Sequence, residues 1–155
     1  MTRIPTRNDG PFHHHKPEFA RHSIEKALSS GQITETDARL IEEYVAELRA
    51  TQGIGISRSN KITFILVGWR RFIGPYDKNT IFDLQKGIEE LRNATVNGHL
   101  YSKDTIRDYI SFLRRMYRWL IENKQSLIEL DRINKIRLPG GSSMTVTAEK
   151  LLTEE

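Results

Sequence analysis

Apolar residues recur along this chain at three- and four-residue intervals and nowhere alternate strictly, so the pattern predicts helices and no strands. The longest such stretch runs from Tyr101 to Lys124. Ser102 is a favoured N-cap residue, and nothing helix-breaking follows before Asn123. At 100° per residue, Ile106, Tyr109, Ile110, Leu113, Met116, Tyr117 and Leu120 gather on one broad apolar arc. Beside that arc, Lys103, Arg107, Arg114 and Arg118 fall within roughly 60° of one another, a cationic line about 22 Å long. One edge of this helix is made for burial, and the next presents positive charge.

The same reading gives the other elements. A short helix over 18–30 stops at Gly31. Thr34 N-caps a longer one, with Asp37 in the place of the capping-box acid and Gly53 at its end. Its apolar stripe is Leu40, Ile41, Tyr44, Val45 and Leu48. After a loop over 52–56, Ser57 is expected to cap a helix over 58–73. There Ile62, Ile65, Leu66, Trp69, Phe72 and Ile73 face inward, and Asn60, Thr63, Phe64 and Arg71 face away. Gly74-Pro75 ends that helix. A shorter helix starts at Thr80 or Asp83, is weakened in the middle by Gly87 and closes near Asn93. Asn97-Gly98 turns the chain into the 101–124 helix, and 126–133 adds one short turn of helix. The class is all-α, a four- to five-helix bundle.

Composition adjusts this picture. At 155 residues the chain is long enough for one domain with a core. Its apolar fraction of 37% is low for a fully compact globule, so part of it is expected to be tail. Residues 1–17, with three prolines and a glycine, read as a flexible arm, 18–139 as the helical domain and 140–155 as a linker with a short polar end. The net charge is only +4, yet 58–71 carries four cations and no acid, whereas five acids outnumber two arginines over 35–49. A positive face and a negative back are implied. No apolar run approaches the ~18 residues a membrane span requires, and no secretory signal region opens the chain. A soluble cytoplasmic protein is expected, with no membrane partner.

Catalytic chemistry is hard to place. Without cysteine there is no disulfide, thiol nucleophile or thiolate zinc site. His13, His14 and His15 are adjacent and diverge on any regular backbone, so they read as a tag or tail rather than a metal site. His22 and His99 stand alone. The string Gly53-Ile54-Gly55-Ile56-Ser57 lacks the lysine and the preceding strand of a phosphate loop. Glu42-Glu43 and Glu89-Glu90 diverge as solvated pairs do. No metal, cofactor or small-molecule substrate is expected.

Two blocks line up, Gly55-Ile56-Ser57 followed by RSNKITFILVGWRRFIG, and Leu100-Tyr101-Ser102 followed by KDTIRDYISFLRRMYRWL. Each has a hydrophobe and a serine, then a polar turn, then a helix closing on aromatic and basic residues. The doubled pattern resembles the N-terminal core-binding, SAM-like domain of tyrosine recombinases, the phage integrase family. The second block matches better, with Ser102 and Thr105 in the Ser-x-x-Thr places; the first has Asn60 where threonine is usual. The resemblance covers roughly 34–139, and 151–155 looks like the opening of the family's catalytic domain.

The resemblance implies a module that clamps duplex DNA through two basic helices, here 58–73 and 103–123, on a DNA that other recombinase protomers also occupy. Arg107, Arg114 and Arg118 would contact phosphates, and Ser57, Ser59, Asn60, Lys61, Ser102 and Lys103 would reach phosphate or base edges near the helix starts. It also implies that this chain is not itself an enzyme. The family's nucleophile is a C-terminal tyrosine, whereas the last tyrosine here is Tyr117, inside a helix, and no histidine has an arginine three residues later. A nucleoid-associated location follows from the same resemblance. Two other readings remain beside it, a standalone helical DNA-binding regulator and a protein-interaction module whose basic face meets an acidic partner.

Overall fold

The computed structural model describes residues 18–139, so the expectations for the arm and for 140–155 lie outside the described residues. Helices occupy 67% of it, which makes the class all-α as the periodicity requires. In order they are α1 (Phe19–Ser30), α2 (Glu35–Gln52), α3 (Ile56–Trp69), α4 (Ile81–Asn93), α5 (Lys103–Glu122) and α6 (Leu130–Asn134). Two short strands, β1 (Thr95–Val96) and β2 (His99–Leu100), join α4 to α5. The chain divides into two compact units between Gly68 and Trp69, in the last turn of α3.

In the first unit, local chemistry sets each boundary. Gly31 ends α1 in the left-handed region, at φ 81°, where a side chain would be strained. The Thr34 hydroxyl accepts from the Asp37 backbone N–H, and the Asp37 carboxylate accepts from the Thr34 N–H, each at 2.9 Å. This reciprocal box satisfies two of the N–H groups a helix start leaves open. The α2 positions Leu40, Ile41, Tyr44 and Val45 are buried, as their spacing predicts. The Gln32 side chain donates to the Val67 carbonyl at 2.9 Å, which ties the α1–α2 turn to the end of α3.

The beginning of α3 departs from expectation. The helix starts at Ile56, so Ser57 lies inside its first turn and is not the cap, and it stops at Trp69 instead of Ile73. Its buried face is also wider than the apolar stripe. Asn60 and Thr63, expected to face away, are only 2% exposed. Inward positions therefore cover roughly 220° of the wheel, leaving a narrow strip with Ser57, Lys61 and Phe64. Short polar side chains go inside where their hydrogen bonds can be met there.

The second unit is built on α5. All seven residues of its expected apolar arc are buried, and so are Phe112 and Trp119 beside it. The Trp69 indole N–H donates to the Tyr109 carbonyl at 2.7 Å. Tyr117 forms a buried hub, donating to the Tyr76 carbonyl and accepting from the Asn79 amide, both at 2.8 Å. Thr80, paired with Asp83 in a second capping box, settles where α4 begins.

Gly87 weakens α4 for a reason of packing. A Cβ there would meet Ile73 Cγ2 and come within 2.9 Å of the Phe72 carbonyl oxygen. Helix propensity alone gives alanine an advantage of about 1 kcal/mol. Overpacking against a backbone oxygen, which cannot rotate away, costs about 1–3 kcal/mol. Gly87→Ala is therefore expected to lower the melting temperature. A rise would mean that propensity outweighs the contact.

The sequence predicts only a turn at Asn97-Gly98 and no strands, whereas the chain forms the β1–β2 hairpin there. Thr95 pairs with Leu100 and Val96 with His99, around Asn97 (φ 53°) and Gly98 (φ 82°). Two successive left-handed residues make the type I′ turn that matches strand twist, and Asn-Gly is its favoured sequence. Two-residue strands are too short for any alternation to show.

Candidate nucleic-acid interface

The cationic line on α5 takes its position from the burial of the opposite half of the helix. With inward residues covering about 180° of the wheel, Lys103, Arg107, Arg114 and Arg118 flank the core edge. Lys103 is exposed, and the three arginines are half-buried, their aliphatic stems lying along the protein while the heads remain near water. Ser102 is the cap expected of it; its hydroxyl accepts from the Thr105 N–H at 3.1 Å and so supports the start of the line.

The end of the described chain tethers two of these arginines. Arg118 Nε donates to Asn134 Oδ1 at 3.0 Å, and Arg107 Nε donates to the Pro139 carbonyl at 3.4 Å. The segment 134–139 thus runs back along α5 towards its N-terminus, forming a strap across the stripe. Ile136 and Leu138 are half-buried, while Lys135 and Arg137 are exposed, as is Arg132 just before them on α6. Sequence reasoning misses these three cations because it takes 126–133 as one short turn of helix and assigns no element to 134–137. The available signal was three basic residues without an acid over 132–139.

Arg114 lies between the two tethers along the helix. Its Nε is buried and has no hydrogen-bond partner, and neither Arg114 nor Arg118 has a carboxylate within ion-pair distance among the described residues. Burial holds the Arg114 guanidinium below its ordinary pKa, and the charges of Arg118 and Arg115 push it the same way. Three arginines therefore crowd one helical turn, with no counter-charge in ion-pair contact among the described residues. By contrast, Arg107 pairs with Asp104 at 3.4 Å. Arg115 lies over the Phe112 ring, 5.4 Å from its centroid, a favourable cation–π placement.

The candidates on α3 fare differently. Ser59 is 4% exposed and Asn60 2%, and the Ser59 hydroxyl donates back to the Gly55 carbonyl at 2.9 Å. Both are thus internal polar groups and not groove-reaching residues, a correction that follows because an apolar-only stripe leaves short polar residues outside. Ser57 and Arg58 are exposed, and Lys61 is half-buried. The site residues lie in separate units, Ser57 to Lys61 in the first and Ser102 to Arg118 in the second.

Among the described residues no group of three or more acidic or histidine side chains is placed to hold a metal, and no helix is long and apolar enough to cross a membrane. Comparison of the chain with protein families, with curated proteins and with solved structures finds no match in any of the three.

Proposed function

We propose that this protein binds double-stranded DNA, with α5 and its strap as the contact surface, and that it serves as the non-catalytic DNA-binding part of a site-specific recombinase of the tyrosine family, acting in the cytoplasm on the nucleoid. The observation that carries the DNA-binding reading is the uncompensated arginine cluster. The charges of Arg115 and Arg118 disfavour the charged form of Arg114, and among the described residues no carboxylate stands within ion-pair distance of these three. A phosphodiester supplies a counter-charge, and guanidinium Nη groups bind it bidentately. Arg118, whose Nε is held by Asn134, is pre-oriented for that geometry. The recombinase part rests on the doubled helix pattern.

Arg114→Ala and Arg118→Ala are each expected to weaken duplex binding by similar factors on any sequence. Each should flatten the plot of log K against log salt by about one unit, since roughly 0.9 counterion leaves per neutralised phosphate. Arg39→Ala and Arg49→Ala are the controls. Arg39 is already engaged with Glu43 at 3.4 Å on the acidic helix α2, so both control slopes should stay unchanged. A titration of the four variants at several salt concentrations separates local neutralisation from loss of net charge. Equal effects at all four positions, or no duplex binding by the parent protein, would leave an acidic protein partner as the better reading of the stripe.

A further inference from the structure

We propose that the β1–β2 hairpin is a second contact with the same duplex, entering a groove beside the phosphates held by α5; this rests on the DNA-binding reading above. Every residue from Thr95 to Leu100 is exposed, and Val96 and Leu100 are among the few large apolar side chains left in water in the described residues, at 44% and 63%. Because directly paired residues share a face, Val96 with His99 and Thr95 with Leu100, each face of the hairpin carries one exposed apolar group. Two-stranded hairpins are marginal in water unless a face is packed. This one stands on its turn and presents both faces outward.

Charge and position select the occupant. No acid occurs between Glu90 and Asp104, a run that includes Arg92, His99 and Lys103. Lys103, the first cation of the α5 line, follows β2 by only three residues, so the hairpin continues that line past the helix start. A two-stranded ribbon fits the major groove, where apolar side chains meet thymine methyl groups and Asn97 can pair with a base edge. In the narrower groove the same apolar side chains can wedge between base steps. An acidic protein surface would satisfy Lys103 and Arg92 but offers nothing particular to a ribbon tip with an amide and two isolated apolar groups. The hairpin would then add sequence or shape preference to the sequence-blind hold of the arginines.

The test uses the full chain and two readouts. Val96→Ser with Leu100→Ser changes only exposed positions, so the thermal melt should be unaltered, and duplex affinity should fall roughly tenfold with an unchanged salt slope. For the second readout, the absence of cysteine allows His99→Cys to carry a thiol-linked photo-crosslinker at a single site, with Glu42→Cys on α2 as control. A denaturation-resistant DNA adduct is expected from the first and not from the second. If Arg114→Ala weakens binding as above while the double serine variant binds like the parent and position 99 gives no adduct, the hairpin proposal fails alone. If the parent protein does not bind duplex, the DNA-binding reading fails and the hairpin proposal with it.

Discussion

Leu113→Ala is expected to lower the unfolding free energy by about 2–5 kcal/mol, a large share of the 5–15 kcal/mol available to a typical domain. Leu113 is 0% exposed at the centre of the α5 arc, with Ile110, Met116, Tyr117 and Leu120, all equally buried, on the same face. Removing its three outer carbons forfeits transfer energy and leaves a cavity that a helix pinned by aromatic neighbours can close only in part. Leu127, which is 101% exposed, supplies the comparison, and Leu127→Ala should fall within about 0.5 kcal/mol of the parent. A denaturant melt decides between them. Similar midpoints for the two variants would mean that α5 is assigned the wrong inward face.

The second large effect is expected at Asn79. Its amide nitrogen donates to the Gly74 carbonyl at 2.9 Å and to Tyr117 Oη at 2.8 Å, while its carbonyl oxygen accepts from the Gly74 N–H at 2.9 Å. One side chain therefore closes the turn after α3 and anchors it to α5. Asn79→Ala removes all three bonds and strands partners away from water, which costs about 1–3 kcal/mol for each group left unmet. Part of that is recovered where Gly74 is half-buried and water can enter, so the expected total is about 2–4 kcal/mol. Tyr117→Phe should cost less alone, and the double variant should cost less than the sum, because one bond is shared. Strict additivity in a double-mutant cycle would show that the Asn79–Tyr117 bond contributes nothing.

Residues whose roles are local were legible in the sequence. Thr34 with Asp37, Gly31, Ser102 and the α5 arc declare themselves through spacing and side-chain chemistry within a few positions. The inward polar group of α3 was not legible, because Ser59, Asn60 and Thr63 carry the composition of a surface and are buried by surroundings that no local pattern encodes. The same limit applied at the stripe. Its arginines follow from 100° spacing, but the strap depends on Arg118 meeting Asn134, sixteen residues on, and Arg107 meeting the Pro139 carbonyl. Neither contact leaves a period to detect. That no carboxylate among the described residues reaches Arg114 is likewise a matter of neighbours in space.

Both tryptophans of the chain, Trp69 and Trp119, belong to the unit that begins at residue 69, and both are buried there. Intrinsic emission is thus a private reporter of that unit, since residues 18–68 contain no tryptophan. Far-UV ellipticity, in contrast, counts α1 and α2 as fully as α5. Overlaying the two signals through one unfolding titration asks whether the units come apart together or in turn. Coincident curves mean a single transition, and ellipticity lost while emission holds steady isolates the stability of the unit that ends at residue 68. Trp119 also follows Arg118 directly, so the indole that reports unfolding can register charge arriving at the stripe without any added label.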